Sequence, residues 1–143
     1  MTISFTVPGV PVPKARARTV FQGGHVHSYT PKKTVEYERL IARHARKAMN
    51  TGGILLLPFK GALAVTVIFT LPRPKSHFRK GSLKSEMPKR PISRPDVDNY
   101  AKTLDALNGI IWVDDSQVVD LKSIKRYNDL PSQVGAWIEV TEL

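Results

Sequence analysis

Six of the chain's twelve acidic residues, Asp96, Asp98, Asp105, Asp114, Asp115 and Asp120, fall between Arg94 and Asp120, in a protein whose net charge is +10. Carboxylates crowded together repel and raise one another's pKa unless a cation sits among them. A divalent ion that prefers oxygen ligands answers that need: magnesium (Mg2+), or manganese (Mn2+) in its place, held by two or three carboxylates, water and a phosphate oxygen. Such an ion would polarise a phosphodiester and activate water against it. Lys102, four residues after Asp98, is the matching partner for charge developing on phosphate, or an orienter of the attacking water. The same residues also have a plainer reading. Aspartates favour helix starts, Asp98 and Lys102 make an ordinary i,i+4 pair, and Asp-Asp is frequent in turns.

These side chains can meet only if two elements bring them together. Asp96 or Asp98, with Asn99, can cap a helix that runs to about Leu107 and stops at Asn108-Gly109. On it Asp98, Lys102 and Asp105 stand one above another at i, i+4 and i+7, with Ala101, Leu104 and Leu107 on the packed side. Asp96, where the chain enters the helix, can point the same way as Asp98. Ile110-Ile111-Trp112 would enter the core and fold Asp114-Asp115 back beside the helix start, so that three or four carboxylates converge.

The rest of the chain supplies the frame. Ile3, Phe5 and Val7 alternate with polar residues as a strand that Pro8-Gly9 ends, and the proline-rich arm after it sets Lys14, Arg16 and Arg18 on alternate positions, suited to phosphate contacts or to water. Thr30-Pro31 starts a helix that reaches about Met49, with Val35, Ile41, Ala45 and Ala48 on its apolar face. Residues 62–71 alternate with apolar residues in both sets, as a central strand covered on part of both faces. Residues 117–127 predict a further strand, Asn128-Asp129-Leu130-Pro131 a turn, and residues 136–141 a last strand able to pair antiparallel with the one before. The order predicts one α/β (α+β) domain over residues 1–143, with a mixed sheet of about four strands and two main helices.

Between the central strand and the acidic stretch, residues 73–94 carry eight basic residues, including Arg73, Lys75, Arg79, Lys80 and Arg94, against the single acid Glu86. Four prolines and few apolar groups make residues 73–95 a mobile basic loop, suited to clamping a phosphate backbone. Twenty-two Lys and Arg against twelve acids draw polyanions, with nucleic acid the first partner to consider. The absence of cysteine excludes disulfides, thiolate zinc sites and cysteine nucleophiles, and fits a cytoplasmic location. No apolar run approaches a membrane span and no export signal opens the chain, so neither membrane nor small-molecule cofactor beyond metal is expected. His25, His27, His44 and His77 read as surface or DNA-contacting residues rather than zinc ligands.

Taken as one string, Asp96-Val97-Asp98-Asn99, Lys102, Asp105-Ala106-Leu107 and Trp112-Val113-Asp114-Asp115-Ser116-Gln117-Val118-Val119-Asp120 closely resemble the signature of the RusA family of Holliday-junction resolvases of bacteria and their phages and prophages. The likeness is strong over about Arg94 to Tyr127. It implies a RusA-like fold and a homodimer that makes paired, magnesium-dependent cuts in four-way DNA junctions, in recombination and repair. Asp96, Asp98 and Asp115 would hold the metal and Lys102 would act as the catalytic lysine. Asp105, Asp114 and Asp120 match as well and would support those groups from behind. The rival readings are a nuclease for other branched DNA and a basic nucleic-acid binder without catalysis.

Overall fold

The computed structural model describes residues 1–129 and 133–143. β1 (Thr2–Pro8) forms where the alternation places it, with Val7 fully buried. The arm after it stays irregular to Ala17 and then enters a hairpin that the sequence reading missed, β2 (Arg18–Gln22) and β3 (His25–Tyr29), joined by Gly23 and Gly24. Both glycines have positive φ, as a two-residue hairpin turn requires.

α1 (Lys32–Ala48) starts one residue later than expected, with Pro31 at the N-cap position and no capping side chain. Its buried stripe is Thr34, Tyr37, Ile41, Ala42 and Ala45, whereas Val35 and Ala48 are only half-buried. The helix is rotated from the expected face because Tyr37, not Val35, supplies the large surface to bury. β4 (Asn50–Thr51) and β5 (Ile54–Leu55) then make a small hairpin around Gly52-Gly53.

β6 (Leu63–Leu71) buries Leu63, Val65, Val67 and Phe69 on one face. Residues 73–95 hold local structure of their own: β7 (Phe78–Arg79) pairs with β8 (Ser82–Leu83) across Lys80-Gly81, and Arg73 lies 4.6 Å over the Tyr127 ring while donating to the Pro88 carbonyl at 2.8 Å. α2 (Val97–Ala101) follows and tightens into a 3₁₀ segment over Lys102–Leu107. The final strands are β9 (Val118–Tyr127) and β10 (Gly135–Glu142).

The four-stranded sheet has the order β1-β10-β6-β9, with β10 antiparallel to both neighbours and β6 parallel to β9. The expected antiparallel pairing of the last two strands is therefore replaced by an insertion. Ala136, Ile138 and Val140 are completely buried and suit an interior strand, whereas β9 carries Asp120, Lys122 and Arg126 with exposed Val119 and Leu121 and suits an edge. Parallel pairing demands a long crossover, and that crossover carries α2 and the acidic stretch. The expected turn at Asn128-Asp129-Leu130-Pro131 lies partly outside the described residues; Asn128 donates its backbone N–H to Leu71 at 3.0 Å.

The core lies where β6 and β10 meet α1 and the segment after α2, through Ile41, Leu107, Ile111 and Trp112. Burial of each such side chain contributes about 2 kcal/mol, so the acidic stretch is anchored by its own apolar residues. Among the described residues, no helix is long and apolar enough to cross a membrane.

Candidate active site

Asp96 stands at the N-cap position of α2 in extended conformation, and no side-chain capping bond is formed there. Its carboxylate is exposed and not spent on the helix. Asp98 follows in the first turn, and its Oδ2 lies 3.9 Å from Lys102 Nζ, with the two side chains 69% and 59% exposed. So open and long a pair adds little to stability and leaves both groups free for other partners.

Two cavities meet at this pair. One, of about 350 Å³, has Asp98, Lys102, Asp105 and Asp115 among its walls over the apolar Val65, Leu104, Trp112 and Leu121. The other, of about 600 Å³, is lined by Asp96, Asp98, Asn99 and Lys102 together with Lys14 and Arg16 of the arm. Asp98 and Lys102 are common to both, so Asp96 and Asp115 face them from different cavities. The acids thus approach Asp98 and Lys102 from two sides without gathering into one cluster; α2 is shorter than expected, and Lys102 and Asp105 lie on the 3₁₀ segment.

Among the described residues, no three Asp, Glu or His side chains lie close enough to form a ready-made ligand shell. The donor set still fits magnesium. It consists of exposed carboxylate oxygens beside open cavities, without nitrogen or sulfur, and magnesium keeps several waters and takes only one or two protein carboxylates.

Asp115 is positioned by Gln117, which the sequence reading quoted only as part of a motif. The Gln117 amide nitrogen donates to the Phe59 and Gly61 carbonyls, both at 2.9 Å, while its oxygen accepts from Val113 N at 2.8 Å and Asp114 N at 2.9 Å. Asp114 caps the short 3₁₀ turn Asp115–Gln117 by accepting from Ser116 N at 2.8 Å. Hydrogen bonds from the Ser116 side chain and backbone hold its carboxyl below the usual range. Asp114 therefore shapes the turn that carries Asp115.

Asp105 takes a different partner from the one its spacing suggests. Lys14 Nζ lies 2.9 Å from Asp105 Oδ2 and 3.0 Å from Glu38 Oε1, tying the arm to the 3₁₀ segment and to α1. Burial alone would lower the Lys14 pKa, but these two carboxylates outweigh it and raise the value above 10.5. The Lys14 backbone N–H also donates to Asn99 at 2.8 Å. Lys14, expected on DNA, is thus engaged within the fold. Asp120 is not brought to the site: it pairs in register with Ala64, whereas Leu121 and Val65, one residue on, line the first cavity. Alternation along the strand turns Asp120 to the opposite face.

Lys125 of β9 donates to the carbonyls of Ser93 at 2.7 Å and Pro95 at 2.8 Å, which fixes the chain just before Asp96. Its place in a strand gave no sign of that role. Of the remaining basic candidates, Arg16 reaches the second cavity, Arg18 begins β2, and Lys75, Arg79, Lys80 and Arg94 are exposed along residues 75–94. Arg73 shares a third cavity, of about 600 Å³, with Lys89, Arg90 and Arg126.

A family model described as "Endodeoxyribonuclease RusA" matches residues 8–140, which takes in the arm, α1, β6, the whole acidic stretch, β9 and most of β10. The chain is also similar to "Uncharacterized protein YqaN" of Bacillus subtilis (strain 168), 38% identical over 135 residues, with 90% of each chain covered. The family match runs from the last residue of β1 into β10 and includes the carboxylates, so the likeness covers most of the frame together with the site. The chain belongs to the RusA family of endodeoxyribonucleases.

Proposed function

We propose that this endonuclease resolves four-way DNA junctions as a homodimer, making paired cuts that depend on magnesium, with manganese as a substitute. The observation that carries the reading is the placing of Asp98 and Lys102 between two cavities, with Asp115 on one side and Asp96 on the other. Asp96, Asp98 and Asp115 are the residues that would hold the ion. Bound there, it supplies Lewis-acid polarisation of the phosphodiester and activation of water. Lys102 offers an ammonium group to the charge that develops on the phosphate. Arg16, Arg18 and the basic residues of 73–95 hold flanking phosphates and set the position of the strand to be cut. Two opposed cuts across a junction call for two sites related by a two-fold axis, hence the homodimer. The role is recombination and repair in the cytoplasm of a bacterium, or on behalf of its phage.

The test is a synthetic four-way junction incubated with the protein and magnesium. Paired nicks in opposed strands are expected, with linear duplex left largely intact and no product in EDTA. Asp98→Asn should abolish cutting while binding is kept or tightened, because a ligand charge is lost and the basic surface is not. Equal cutting of duplex would refute junction selectivity. Cutting of flaps but not four-way junctions would favour another branched substrate, and binding with no metal-dependent product would leave only a DNA-binding protein.

A further inference from the structure

The β2–β3 hairpin stands apart from the four-stranded sheet, and all ten of its strand residues are exposed. One pair back from the polar turn pair of Gln22 and His25 it carries an apolar pair. Phe21 is directly opposite Val26, so both project from the same face of the ribbon, and they are 73% and 66% exposed. Thr19 and Ser28 are the pair behind them on that face. An aromatic ring left this open on a ribbon offers a face on which a nucleic-acid base can stack.

Charge identifies the partner. No acid precedes Glu36 in the sequence, while Arg16, Arg18, Lys32 and Lys33 flank the hairpin in the chain. Such a surface suits a polyanion and repels a second basic copy of itself. The hairpin also springs from the catalytic rim, because Arg16 and Ala17 line the cavity that holds Asp96 and Asp98, and β2 starts at the next residue. Phe21 lies three residues beyond Arg18, about 10 Å of extended strand, or about three nucleotide steps.

Resting on the junction-cutting reading, we propose that the Phe21–Val26 tip is a wedge that enters the branch point of the DNA and unstacks the base pair there. Arg16 and Arg18 hold the phosphates on the way to the cut. Apolar side chains inserted between base steps open DNA in this manner, and an aromatic face stacks on any base it exposes.

The experiment uses a four-way junction with 2-aminopurine at the branch point, titrated with the full-length protein in EDTA so that no cutting occurs. Wild type should raise the fluorescence as the base unstacks. Phe21→Ala should bind but lose most of the rise, and in magnesium should cut about tenfold more slowly. That deficit should narrow on a junction whose branch-point bases are already unpaired. Phe21→Trp should keep the rise. Binding by wild type without any rise, or an equal rise with Phe21→Ala, overturns the wedge while the nuclease reading stands. A shift of Phe21→Ala from dimer to monomer on size exclusion shows the tip to be a protein interface and overturns the wedge as well. Absence of junction binding by wild type defeats both readings.

Discussion

At the scale of single residues, the site separates groups left free from groups that hold them. Asp98 and Lys102 are exposed and only 3.9 Å apart, whereas Gln117 spends its amide on four backbone partners around Asp115. Gln117→Leu keeps the size of the side chain but leaves two carbonyls and two N–H groups to find other partners. It should cost about 1–3 kcal/mol in urea unfolding and lower junction cutting more than junction binding, because the Asp115 turn loses its tether. A variant with lowered stability and unchanged cutting per folded molecule would show that the turn does not depend on Gln117. Asp96, Asp98, Lys102 and Asp115 stand out as candidates in the sequence through the RusA-like signature that contains them, since spacing alone also allows helix caps and ion pairs. The ties made by Gln117, Glu38 and Lys125 do not, since each joins segments far apart in the chain.

At the scale of elements, the sequence pattern located β1, α1, β6, β9 and β10 but did not order them. The pairing of β10 with β1 and β6 follows from complete burial of Ala136, Ile138 and Val140, a property of the folded sheet that alternation alone does not encode. Ile138→Ala should accordingly cost about 3 kcal/mol, while Val119→Ala on the edge strand should stay within about 0.5 kcal/mol, both read from urea unfolding. Similar losses at the two positions would contradict the strand order. The β2–β3 hairpin went unseen because its alternation joins no apolar face to the core. Its Gly23-Gly24 pair, between two short runs with strand-forming residues, was the available signal. The prolines and charges of residues 73–95 predict a loop; the small β7–β8 hairpin and the stacking of Arg73 on Tyr127 depend on contacts beyond composition.

At the scale of the whole molecule, a net charge of +10 surrounds a local patch of carboxylates. Binding to the phosphate backbone should be driven largely by counterion release, with affinity for the junction falling on the order of a thousandfold between about 50 and 200 mM salt. A flat salt dependence in a gel-shift titration would assign binding to some other term. The insertion of β10 between β1 and β6 also sets a schedule for synthesis. Every carboxylate of the candidate site has left the ribosome before residues 135–142 appear, yet the two strands that flank β10 cannot be joined until it arrives. Contacts of such long range are formed late and slowly. A nascent chain thus carries the candidate carboxylates before the sheet beneath them is closed, and the site takes its geometry only once β10 is in place.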